Sequence, residues 1–255
     1  MLRKSLFFWG ILLLVLSACG GGGNPAADDR LPVLATTSIV ADVVARIGGE
    51  HVTVTTLLPP GTDPHTFTPR QQDAAALADA DLVFANGAGL EEFLEPLLES
   101  AGATGKLVEV SAGIALLPFE AHEEEHAGDE EEHDDEAGDP HTWMDPNNVL
   151  AWTENIAAAL AAADFDHAAD YQANAETYAA ELRELDAWIR DEVEGIPAEN
   201  RMIVADHAVF GYFAEAYGFT RLGTITASFS TGASPSARDL AALEDEIRRY
   251  GVRAV

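Results

Sequence analysis

The chain has 255 residues, 47% hydrophobic and 23% charged, which is enough apolar material for one large or two ordinary cores and too much for a disordered protein. Its 44 Asp+Glu against 14 Lys+Arg give a formal net charge of -30, which argues against nucleic acid and anionic membrane surfaces as partners and favours the attraction of cations, although a habitat-driven composition would look the same. The one cysteine, Cys19, allows no internal disulfide and no cysteine-based zinc site.

In chain order, Arg3 and Lys4 precede an apolar run, Leu6 to Leu16, that is short for a membrane span, and Leu16-Ser17-Ala18-Cys19 follows it. This start resembles a bacterial lipoprotein signal. The resemblance implies that 1–19 is a signal peptide, that Cys19 carries the lipid anchor, and that 20–31, with Gly20 to Gly23, is a flexible tether.

From Leu31 apolar strands and helices alternate. Val33 to Thr37 reads as a buried strand, and Ser38 is placed to cap a helix through Arg46 that stops at Gly48-Gly49. His51 to Leu58 has the β-branched character of a second strand, ended by Pro59-Pro60-Gly61. A helix over Arg70 to Ala80, a strand over Asp81 to Asn86, a helix over Leu90 to Ser100 and a strand over Lys106 to Val110 complete βαβαβαβ, the pattern of a parallel sheet covered on both faces.

After Pro118 the composition changes. Glu120 to Glu136 holds eleven acids with His122, His126 and His133, and nothing apolar larger than alanine, so it cannot bury enough surface to fold. Imidazoles among carboxylates suit a weak cation collector; a plain solvated insert is the alternative. Asn147 to Ala163 reads as an Ala-rich helix. Ala168 to Glu194 is a long, unbroken helix with an apolar stripe through Tyr171, Tyr178, Leu182, Leu185 and Ile189, fit to cross between two lobes as a spine. The alternation then restarts with strand Arg201 to Ala205, helix Val209 to Tyr217, strand Thr220 to Thr226, helix Ala237 to Tyr250 and strand Val252 to Val255. The expected architecture is α/β, two lobes with parallel sheets joined by one spine helix: 32–167 as first lobe with the insert at 120–136, 168–196 as linker helix, and 197–255 as a second lobe expected to be truncated.

Two Asp-Pro-His-Thr tetrapeptides, Asp63 to Thr66 and Asp139 to Thr142, present His65 and His141 from proline-stiffened loops with a carboxylate two residues upstream. A neutral imidazole held by an acid through one ring nitrogen is a good metal donor through the other, whereas a single such histidine is more often just solvated. In open parallel sheets ligands gather beyond the carboxyl ends of the strands. His65 follows the second strand, His141 the fourth, and His207 the first strand of the second lobe. Of the three, His207 is the one most open to the alternative of a buried histidine satisfied by a carbonyl, and it is the joint placement that favours ligation; His51 and His167 are expected to face solvent.

Four passages, Ala35-Thr36-Thr37-Ser38-Ile39-Val40-Ala41-Asp42, Gly61-Thr62-Asp63-Pro64-His65, Asp139-Pro140-His141-Thr142-Trp143-Met144-Asp145-Pro146 and Asp206-His207-Ala208-Val209-Phe210-Gly211-Tyr212-Phe213, resemble the zinc/manganese solute-binding lipoproteins of bacterial ABC importers (cluster A-I). The resemblance runs from about Leu31 to Val255. It implies a non-enzymatic, extracytoplasmic, membrane-anchored monomer that binds metal in the cleft between its lobes and delivers it to an ABC permease. Carried over, the metal ligands are His65, His141 and His207, with a late carboxylate as the fourth ligand of many members. It also implies that a histidine at the third position goes with Zn2+ and a glutamate with Mn2+ or iron; three nitrogen donors suit zinc on general grounds too. The readings from other classes are a three-histidine zinc hydrolase, disfavoured because no His-Glu-x-x-His helix accompanies the site, and a lipid-anchored adhesin.

Overall fold

The computed structural model of the chain describes residues 29–118, 138–226, 231 and 234–252. The lipoprotein signal with Cys19, and His122, His126 and His133 of the insert, lie outside the described residues.

The first lobe is built on β1 (Leu31–Ala35), β2 (Val52–Thr56), β3 (Leu82–Ala85) and β4 (Leu107–Glu109), all parallel, in the order β2-β1-β3-β4. Successive strand side chains point to opposite faces, and both faces are apolar. Val33, Ala35 and Phe84 join one core, while Leu34, Val83 and Ala85 join the other. The first core is closed by α1 (Ser38–Gly48), α4 (Pro146–Ala163) and the start of α5 (Ala168–Glu194), through Val40, Ile47, Trp152, Ile156, Leu160 and Tyr171. The second is closed by α2 (Gln71–Asp79) and α3 (Leu94–Ala101), through Leu77, Leu94 and Leu98.

Helix starts differ from expectation where side chains turn back on the backbone. Thr37, not Ser38, caps α1, its Oγ1 accepting the Val40 N–H at 3.2 Å. Helix α2 begins one residue late because Asp73 accepts the Arg70 N–H at 2.6 Å. The helix expected from Leu90 starts at Leu94: Gly87, Ala88 and Gly89 all take positive φ, and Glu91 is folded inward.

Helix α5 has the bounds expected of the spine, but its buried stripe is Tyr171, Ala175, Ala179, Leu182 and Val193. Alanines let it lie close against its neighbours, which leaves Leu185 exposed rather than buried and Tyr178 and Ile189 only half-covered. Its far half carries the second lobe: β5 (Met202–Ala205) and β6 (Thr220–Thr224), parallel, with α6 (Gly211–Tyr217) and α7 (Ala237–Tyr250). At that junction Asp186 accepts hydrogen bonds from Arg190, from the Tyr217 hydroxyl at 3.0 Å and from Asn147 of α4 at 3.1 Å, and Arg190 donates to the Ala216 carbonyl at 3.1 Å. Burial opposes the Asp186 charge, yet these donors hold its carboxyl below the usual carboxylate range. The strand expected at Val252 to Val255 is not seen at Val252, and its remaining residues lie outside those described. No described helix is long and apolar enough to cross a membrane.

Candidate metal centre

The three candidate histidines sit on connections that follow the carboxyl ends of parallel strands, where side chains help fix the chain. On the loop after β2, Asp63 accepts the His65 N–H at 3.0 Å. After β5, Oδ1 of Asp206 accepts the His207 N–H at 2.9 Å and its Nδ1–H at 3.0 Å. His141 is the most constrained. Oδ1 of Asp139 accepts both its N–H at 2.9 Å and its Nδ1–H at 2.7 Å, and acid and ring are 2% and 1% exposed.

Residues on either side of His141 are clamped as well. Nδ2 of Asn86 donates to the Pro140 carbonyl at 2.9 Å. The Thr142 and Ser111 hydroxyls lie 2.9 Å apart, and Ser111 accepts the Trp152 indole N–H at 3.1 Å. Asn86 is anchored in turn by Glu91, a buried carboxylate that accepts the Asn86 N–H at 2.8 Å, the Gly87 N–H at 3.1 Å and the Thr36 hydroxyl at 2.5 Å. Burial pushes the Glu91 carboxyl up, with these three donors pulling the other way. Gly87 is required here: its φ is +74°, and a Cβ would meet Glu109 at 2.8 Å.

The rings converge. Nε2 of His65 lies 3.2 Å from Nε2 of His141, ring centroids are separated by 5.3, 5.8 and 5.2 Å, and one nitrogen from each ring lies within 4.8 Å of the others. Among the described residues this is the one group of three or more His, Cys, Asp or Glu so arranged. With Nδ1 of His141 and of His207 bound to acids, Nε2 is the nitrogen with a lone pair to offer. Burial, aided by His141 and His207 and opposed by Asp63, pushes the His65 imidazole down to about 4, so it is neutral, as a metal donor must be, at pH 7.

The other histidines do not join this group. His51 and His167 are not simply solvent-facing, as expected; they stack at 3.9 Å. Each also has an acid within reach, Asp170 at 3.1 Å from His51 and Asp164 at 2.7 Å from His167, and both rings are half-buried. Parallel rings point their nitrogens along parallel planes and do not converge on one point. An apolar groove of about 410 Å3, lined by residues such as Ile39, Trp143, Tyr178 and Leu182, contains none of the three histidines, so donor convergence rather than volume marks the candidate site.

Several residues here were not assigned a role from sequence. The acid beside His207 is adjacent rather than two residues upstream, so the Asp-Pro-His pattern misses it. Asn86 and Glu91 read as the ends of a strand and a helix. The signal that could have exposed them is the Asn86-Gly87-Ala88-Gly89 turn, which no helix continues through.

The model of the family described as "Zinc-uptake complex component A periplasmic" matches residues 33–255. The manganese-binding lipoprotein MntA of Halalkalibacterium halodurans is 40% identical over 193 residues, covering 76% of this chain and 60% of that protein. MntA of Bacillus subtilis is 34% identical over 233 residues, 90% of this chain and 71% of that protein. The chain thus spans three-fifths of the length of the first relative. A zinc-bound deletion mutant of ZnuA superposes with a TM-score of 0.75 at 28% identity, covering 88% of this chain and 79% of that one.

Proposed function

The chain belongs to the family of periplasmic component A proteins of zinc-uptake complexes, and on that premise we propose that it captures a divalent metal ion outside the cytoplasm, zinc in preference to manganese, and passes it to the permease of an ABC importer. The observation that carries this reading is the meeting of His65, His141 and His207 from two lobes, two of them backed by acids at Nδ1. In this reading the three Nε2 atoms hold the ion. Withdrawal of His207, on the second lobe, from the other two weakens the hold on the ion and opens the way to release.

Three imidazoles favour zinc over manganese, which prefers oxygen donors and stands lowest in the order of divalent affinities. Manganese is the second reading, supported by the names of two relatives. A hydrolase would need a general base beside the ion, and Asp139 and Asp206 are already engaged at Nδ1. Element-by-element metal analysis of the purified protein, followed by competition between zinc and manganese, tests the proposal. One tight zinc per chain that manganese does not displace supports it; tighter manganese selects the second reading, and no tight metal refutes both.

The same reading places the chain on the outer side of a membrane, anchored at Cys19, with His122, His126 and His133 adding weak metal sites. Mass spectrometry of membrane-extracted protein checks the anchor: an unmodified Cys19 would sink it. Deleting 120–136 should lower the number of weakly bound zinc ions and spare one tight site; loss of the tight site would contradict that role.

A further inference from the structure

Helix α6 touches the polar groups that hold His141. The Tyr212 hydroxyl donates to the Asp139 carbonyl at 2.7 Å and accepts the Leu117 N–H at 3.2 Å. Those two partners are themselves paired, the Asp139 N–H donating to the Leu117 carbonyl at 2.8 Å, so one hydroxyl caps a neck formed by two segments of the first lobe. One residue earlier, Gly211 lies so close that a Cβ would fall 2.3 Å from Oδ2 of Asp139. The helix thus covers both the carbonyl and the carboxylate of the residue whose Oδ1 orients His141. Tyr212 is 5% exposed, and burial keeps its phenol raised and therefore a neutral donor.

His207 belongs to the same short connection, four residues before Gly211. A displacement of β5 and α6 that withdraws His207 therefore also pulls on Asp139. We propose that Tyr212 is a positioning residue that couples the two lobes at the metal site, so that the contact holding His141 in orientation and the contact bringing His207 into place form and break together. This rests on the three-histidine reading. Tyr212 is not one of the three donors; its hydroxyl favours the lobe arrangement in which all three rings meet, and its effect on metal affinity should be felt only when the ion bridges the lobes.

The test is a double-mutant cycle on the full chain with Tyr212→Phe and His207→Ala. Zinc affinity is read by competition with a chromophoric chelator, release by stopped flow, and ligand geometry by the d–d absorption of bound Co2+. Tyr212→Phe alone should weaken zinc about tenfold, mostly as faster release, and should change the Co2+ spectrum. In the His207→Ala background, titrated at metal concentrations suited to a weaker site, adding Tyr212→Phe should change affinity less than about twofold. An equal loss in both backgrounds would mean that Tyr212 supports only the first lobe and would overturn the coupling, as would no loss in either. His207→Ala binding zinc as tightly as wild type would instead overturn the three-histidine reading. Urea midpoints of the metal-free variants keep a folding defect from passing as a binding one.

Discussion

One carboxylate oxygen of Asp139 accepts both the backbone N–H and the ring Nδ1–H of His141, and the pair is almost fully enclosed. The corresponding pair of Asp206 and His207 has the same contacts, but its acid is 72% exposed, so water can replace it.

Asp139→Ala should therefore weaken zinc by about 10- to 100-fold, the range typical of losing a carboxylate behind a histidine ligand, while Asp206→Ala costs clearly less. Competition titrations on both variants measure this. Equal losses would show that burial of the acid does not matter.

Glu91→Gln keeps one acceptor oxygen but puts an NH2 donor in place of the other, where the Thr36 hydroxyl and the Asn86 N–H share Oε1 and the Gly87 N–H uses Oε2, so at least one of the three donors is left facing a donor. It should destabilise the metal-free protein by about 1–3 kcal/mol, read as a lower urea midpoint. Because Asn86 clamps Pro140, a smaller loss of zinc affinity should accompany it. An unchanged midpoint would show that the buried carboxylate is dispensable.

His65 gives the metal-free protein an acid sensitivity. The fold holds this ring neutral to about pH 4, whereas the unfolded chain takes up a proton near the ordinary value of 6.5, so between those values the unfolded chain binds more protons. Stability should fall as pH drops from 6.5 toward 4 and the loss should level off below that. Urea midpoints of wild type and His65→Gln across this window separate the contribution of this histidine from that of titrating carboxylates. Parallel pH profiles for the two proteins would contradict it.

Much of this architecture is legible in residue patterns because each element has a strong period or a clear stop. The bounds that the sequence predicts for the spine and α7 are those observed, since no breaker interrupts either helix. The spine's buried face was harder to read: Ala175 and Ala179 carry little hydrophobic signal, and their role is close approach rather than area. In the candidate site, the repeated Asp-Pro-His-Thr exposes His65 and His141. Asn86 and Glu91 act through a folded-back loop whose one local mark is the turn Asn86-Gly87-Ala88-Gly89, whereas Tyr212 acts through contacts across long stretches of chain, which no local pattern records. A tyrosine in an amphipathic helix reads as core, and Tyr212 is core by burial; only its hydroxyl's partners reveal the link between lobes.

In the proposed reading three histidines from two lobes hold one ion. The most direct measurement is a zinc competition titration of wild type beside His65→Ala, His141→Ala, His207→Ala, His51→Ala and His167→Ala. The first three should each lose more than about 100-fold in affinity, beyond the loss for a supporting acid, while His51→Ala and His167→Ala stay within about threefold of wild type. Comparable losses at all five positions, or a loss at His51 or His167 that exceeds that at His207, would contradict the account.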